Sequence, residues 1–252
     1  VGRKTAERIV AERERGGPFR SLLDFVRRTA PGLPPAVTEA LIQVGAFDAF
    51  GLERRELLWL LGLIARLHSP ATGKHRLQPT LPLEPTGDPV PLTPLTPWER
   101  MLSDYRLMAL SPTTHPMALL RPAFPKGLVV TAQLREVPDG KQVQLAGLVV
   151  TRQRPGTAKG FVFLLVEDEF GLVNVVVSPA LYERRRAVIR GEPLVWLQGT
   201  VQDRNGSLNL IATEIFPLPE ALGDWDPLAE ASPTAAEFHR LRQAAPRPHE
   251  WR

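Results

Sequence analysis

Seven of the nineteen residues from Pro79 to Pro97 are proline. No helix interior or central strand holds that density, because each proline lacks an amide hydrogen and fixes φ at about −65°. The stretch reads as a semi-extended, polyproline-like linker over 70–97, and it divides the chain into a charged helical part and a strand-rich part. With 252 residues, 43% hydrophobic and 23% charged, there is material for one large domain or two small ones, and a chain disordered throughout is excluded. Residues 1–78 hold 13 basic against 8 acidic side chains, so the positive excess belongs to the helical part. Arginine outnumbers lysine 26 to 5, which favours bidentate contact with phosphate, although a GC-rich genome gives the same bias. The absence of cysteine excludes disulfides, a thiol nucleophile and Cys-bearing zinc sites. No apolar run reaches the roughly 18 to 20 residues that span a bilayer, so the expectation is a soluble, cytoplasmic chain with no membrane partner. Val1 leads directly through Gly2 into a helical pattern, which reads as a piece cut from a longer chain.

Ahead of the linker, apolar spacing predicts four helices: Lys4 to Arg15, a short one after Ser21 closed by Pro31-Gly32, one from Pro34-Pro35 to Gly45, and one from Glu53 to Leu67. Together they form a small all-helical bundle over 1–69. A helical connector over 98–139 carries an amphipathic helix from Trp98 to Leu110 and a short turn at 116–120. Beyond Lys126 the period changes from 3.6 to 2. Strands are predicted at 142–153, 160–168, 172–178, 193–202 and 207–215, with a short helix between the third and fourth and an Asn-Gly hairpin at 203–206. Five strands in that order predict an OB-fold, a partly open barrel, over 140–216. Residues 217–252 read as a partly disordered tail. The fold class is therefore α+β.

The loop joining the first two strands gathers Arg152, Arg154 and Lys159, where an OB-fold would meet a nucleic-acid backbone. Phe161 and Phe163 share a face and could stack on bases, although the expectation is that at least one of them is core. Trp196 is also expected to be core. Arg204, in the last hairpin, is a further candidate contact. At the start of the chain, Gly2, Arg3 and Lys4 form a glycine turn opening onto a helix N-terminus, whose free amides suit a phosphate oxygen. The same shape recurs around Gly45. Glu167, Asp168 and Glu169 are contiguous, so their carboxylates diverge and a turn is expected in preference to a metal site. The five histidines show no metal-ligand or catalytic spacing. No catalytic constellation is visible.

The strings GRKTAERIVAERERGGPFRSLLDF, LIQVGAFDAFGLERRELLW, WERMLSDYRLMALSPTTHPM and AGLVVTRQRPGTAKGFVFLLVEDEFGLVNVVV, in this order, resemble the C-terminal third of bacterial C-family (DnaE-type) DNA polymerases. The RQRPGTAKG hairpin is most similar to the error-prone, damage-induced (ImuC-like) branch. The resemblance implies a helix-hairpin-helix module beside an OB-fold, both holding single-stranded or primer-template DNA by its backbone in translesion synthesis. It also implies that the catalytic palm lies upstream. This stretch would then not polymerise DNA and would need no cofactor, Mg2+ being expected for the parent polymerase. Val1-Gly2 would be the second half of a truncated first hairpin. The family's sliding-clamp peptide finds a match in Gln78, Leu81 and Leu83, which makes a sliding clamp and other translesion-synthesis proteins candidate partners. A replicative polymerase III alpha subunit and a free-standing single-strand DNA-binding accessory protein are the alternatives.

Overall fold

A computed structural model describes residues 2–29, 33–68, 92–204, 206–218, 235–245 and 249–251. The expected linker residues 70–91, Pro31-Gly32 and Asn205 lie outside the described residues. The chain forms two compact units, Val1–Ser103 and Asp104–Arg252.

The first unit is helical. Helix α1 (Arg3–Gly16) stops at Gly17, and α2 (Leu22–Thr29) starts where the Ser21 hydroxyl accepts from the Asp24 amide at 3.1 Å, the N-cap expected of that serine. Helices α3 (Pro35–Gln43) and α4 (Arg54–His68) follow. Their shared core is Leu22, Phe25, Ile42, Phe47, Leu57, Leu61 and Ile64. Phe25 sits at its centre, edge-on to Phe19 at 4.9 Å and to Phe47 at 4.8 Å, a geometry aromatic quadrupoles favour. Helix α1 buries no residue fully. It is tied down by Arg28, which donates to the Glu12 carbonyl at 2.8 Å, the Gly17 carbonyl at 2.9 Å and the Glu12 carboxylate at 3.1 Å. That guanidinium holds the Glu12 carboxyl below its ordinary range. At the start of α4, Arg55 meets Glu99 at 2.7 Å and Arg100 meets Glu53 at 2.8 Å, fixing the first turn of α5 (Pro97–Met108) to it.

In the second unit, α6 (Pro116–Leu120) leads to strands β1 (Gln142–Gln153), β2 (Val162–Asp168) and β3 (Gly171–Val177), helices α7 (Pro179–Arg184) and α8 (Arg186–Gly191), and strands β4 (Leu194–Arg204) and β5 (Ser207–Pro217). Strand order runs β2-β3-β5-β4-β1 and closes through an additional β1–β2 pairing, giving a five-stranded barrel of OB type. The β3–β5 pair is parallel and the other barrel pairs are antiparallel. Alternate Val and Leu residues fill the barrel, among them Leu145, Val166, Val175, Leu197 and Leu210. Closure sets β1 between two neighbours, and at Gly147 strand β2 approaches it closely. A side chain there would strike the Val166 side chain and would stand 2.8 Å from the Glu167 carbonyl.

Within 217–252, expected to be a partly disordered tail, the described residues include α9 (Ala235–Ala244) and a three-residue strand β6 (His249–Trp251) parallel to the end of β1. Three residues are too few to show an alternation in sequence. Trp196 is buried as expected, but outside the barrel. Its neighbours Val195 and Leu197 face in, and its ring lies edge-on to Phe124 at 6.3 Å.

Candidate nucleic-acid interface

Strand β2 sends Val162, Leu164 and Val166 into the barrel and leaves the intervening positions outside. Phe163, on that outer face, is 36% exposed. Phe161, two residues earlier, is 38% exposed. The expectation that one of the two is core is therefore corrected, because inward alternation begins at Val162. Register extends the outer face sideways: Phe163 pairs with Val176 and then Ile211, and Leu165 with Asn174 and then Asn209. These side chains are apolar or uncharged amide, suited to base faces and edges.

The β1–β2 hairpin edges this face. Ala158 donates to the Pro155 carbonyl at 3.0 Å and Phe161 to the Ala158 carbonyl at 3.0 Å, folding the loop tightly, with Lys159 in the left-handed region at φ 49°. Arg154 and Lys159 are exposed, and the Arg154 guanidinium lies 4.4 Å over the Tyr182 ring. Arg152 is not on the loop surface. A bulge between Val149 and Thr151 reverses the facing of the last strand residues, so Arg152 pairs with inward Leu164 and turns inward. Its guanidinium donates to the Ile189 carbonyl at 2.6 Å and to the Glu192 carbonyl. Arg204 is exposed at the β4–β5 hairpin. It lies four residues along β4 from the Phe163–Val176–Ile211–Thr200 row, about 13 Å of strand.

In the helical unit, Gly2, Arg3 and Lys4 are exposed at the start of α1, whose N-cap Gly2 is extended at φ −70°. Arg3 meets Glu7 at 2.8 Å. Gly45 departs from its expected role, since its amide donates to the Ile42 carbonyl and closes α3. Its φ of +80° and the Arg54–Asp48 pair beside it leave no room for a side chain. Arg54 also donates to the Gln43 carbonyl at 2.8 Å. The clamp candidates Gln78, Leu81 and Leu83 lie outside the described residues.

The acidic triplet forms a turn, as its spacing predicts. Buried Asp168 accepts from the Thr131 amide and hydroxyl at 2.7 and 2.5 Å and from the Phe170 amide at 2.9 Å. Glu169 takes a bidentate contact from Arg121 at 2.8 and 2.7 Å. Burial pushes the Glu169 carboxyl up, and Arg121 with a backbone bond outweighs it, leaving the group below the ordinary range. Burial, with Asp168 beside it, raises Glu167. Burial and the Glu167 charge push the Tyr105 phenol up to about 12. Among the described residues, no group of three His, Asp or Glu side chains converges as a metal site would require.

Residues 1–57 match a helix-hairpin-helix motif, and residues 143–218 an OB-fold nucleic acid binding domain. An error-prone DNA polymerase of Mycolicibacterium paratuberculosis is 37% identical over 227 residues, covering 88% of this chain and 20% of its own length. One from Ruegeria pomeroyi is 39% identical over 224 residues, covering 86% and 19%. A crystal structure of asparaginyl-tRNA synthetase from Pyrococcus horikoshii matches 37% of this chain and 23% of its own, at 24% identity and TM-score 0.33. The chain spans about a fifth of the length of the curated relatives it matches. With both modules in order and identity running over most of its length, the chain is homologous to the helix-hairpin-helix and OB-fold region of bacterial C-family, error-prone DNA polymerases.

Proposed function

We propose that this chain is a DNA-holding region of an error-prone, translesion DNA polymerase working in the cytoplasm. It grips single-stranded and primer-template DNA through the backbone and the base faces, without reading sequence. The observation that carries this reading is the pair of exposed rings, Phe161 and Phe163, on the outer face of an OB barrel, flanked by the exposed cations Arg154 and Lys159. Rings stack on any base, and cations on the rim neutralise phosphate. Phe161→Ala with Phe163→Ala is expected to weaken single-strand binding at least tenfold, each stacked base being worth roughly 1 to 3 kcal/mol. Arg154→Ala with Lys159→Ala is expected to flatten the salt dependence by about 1.4 units of slope, at roughly 0.7 per phosphate. Fluorescence anisotropy of a labelled oligonucleotide at several salt concentrations reads both effects. Unchanged affinity and slope in folded variants would remove the proposal.

The segment around Gln78, Leu81 and Leu83 is proposed to dock a sliding clamp, through two leucines worth roughly 1.5 to 3 kcal/mol each before association costs. A peptide covering 77–85 is expected to bind the cognate clamp with micromolar affinity in calorimetry. Equal heat from a Leu81→Ala, Leu83→Ala peptide would reduce the segment to linker.

A further inference from the structure

Around the end of β1 from the stacking face, a cleft of about 290 Å³ opens between β1 and helices α7 and α8. That volume is near the lower bound of drug-sized pockets, roughly 300 Å³, and ample for a phosphate with water. Among the described residues its lining includes four arginines, Arg152, Arg154, Arg186 and Arg190, and no carboxylate. Arg186 and Arg190 are exposed and stand one turn apart on α8, hence on one face. The buried Tyr182 ring carries Arg154 at 4.4 Å and fixes that guanidinium at the cleft wall.

Neighbouring arginines are neutralised and these are not. Arg184 and Arg185 meet Glu214 at 3.0 and 3.3 Å, and Arg152 is committed to the carbonyls of Ile189 and Glu192. Among the described residues, Arg154, Arg186 and Arg190 form no ion pair with a carboxylate. Three like charges held around one cleft repel one another, and an anion that accepts several planar N–H forks relieves that repulsion. Because Arg154 belongs both to this cleft and to the hairpin beside Phe161, the two surfaces are continuous.

We propose that the cleft seats a phosphate group of the DNA strand whose bases stack on Phe161 and Phe163, so that the strand's path continues past the hairpin onto α8. The inference rests on the proposed DNA-holding function and deepens it. The test compares the whole chain with an Arg186→Gln, Arg190→Gln variant and a Phe161→Ala, Phe163→Ala variant. Each is titrated against labelled oligothymidylate, with and without a 5′-phosphate, across a salt series, and circular dichroism confirms the fold. Loss of one phosphate contact is expected to lower the arginine variant's salt slope by about 0.7 and its affinity roughly tenfold, on both oligonucleotides. The phenylalanine variant is expected to weaken at unchanged slope. A loss confined to the 5′-phosphorylated strand supports the phosphate site with the strand terminus as its source. An arginine variant indistinguishable from the parent chain, beside a weakened phenylalanine variant, overturns the cleft and leaves the stacking face standing. Failure of the parent chain to bind either oligonucleotide overturns both.

Discussion

Gly45 shows how one residue's geometry decides between a binding role and a structural one. Its positive φ suits a helix stop, and the guanidinium of Arg54 occupies the space a side chain would need. Gly51 has a similar φ of +74° with open space around it, so it isolates the backbone cost alone. Gly51→Ala is expected to cost about 1 kcal/mol. Gly45→Ala should cost about 1 to 3 kcal/mol, the larger loss because it also displaces Arg54 from Asp48. Urea unfolding of the two variants checks the order; equal costs would mean that Arg54 yields freely. Arg152 and Arg154 make the same point, since a single residue, Gln153, separates a buried cation from an exposed one.

The β2–β3 turn is the element whose stability the acidic residues set. Asp168 gathers the backbone of the turn, while Glu169 binds Arg121 from the segment after α6. Because the folded Glu169 carboxyl titrates below its ordinary value, its stabilising effect is complete above about pH 4.5 and is lost as pH falls through the lower folded value. Glu169→Gln is therefore expected to lower the melting temperature at pH 7, and the gap from the parent chain should narrow as pH falls through the folded titration of Glu169. A gap that stays constant as the solution is acidified from pH 7 until the parent chain unfolds would show that the Arg121 contact acts by packing and not by charge. The helices carry their own punctuation in a comparable way, through Ser21 ahead of α2 and through Glu56, whose carboxylate accepts from the Glu53 amide at 3.0 Å at the start of α4.

At the scale of the whole molecule, the one run of adjacent carboxylates, Glu167 to Glu169, is engaged in structural contacts. Asp168 and Glu169 are held by Thr131 and Arg121, and their neighbour Glu167 is half-buried. Purified chain supplied with Mg2+, primed template and nucleotides is expected to extend nothing. Incorporation that survives removal of contaminating polymerase would place a catalytic centre within these residues. Among the described residues, no helix is long and apolar enough to cross a membrane.

Local pattern by itself determined most of the elements. Period-2 runs of Val and Leu placed five strands to within two or three residues at each end, and helical spacing with Ser21 and Pro116 placed the helices, because alternation and capping act between near neighbours in the chain. The order of those strands was enough to indicate the barrel. Tertiary structure alone decided which charges remain free. The bulge after Val149 turned Arg152 inward, the approach of Arg54 closed off Gly45, and the packing of α8 beside β1 brought Arg186 and Arg190 near Arg154. Each of these depends on partners between 9 and 40 residues away, and on a register that a single extra residue reverses. No window of sequence contains that information.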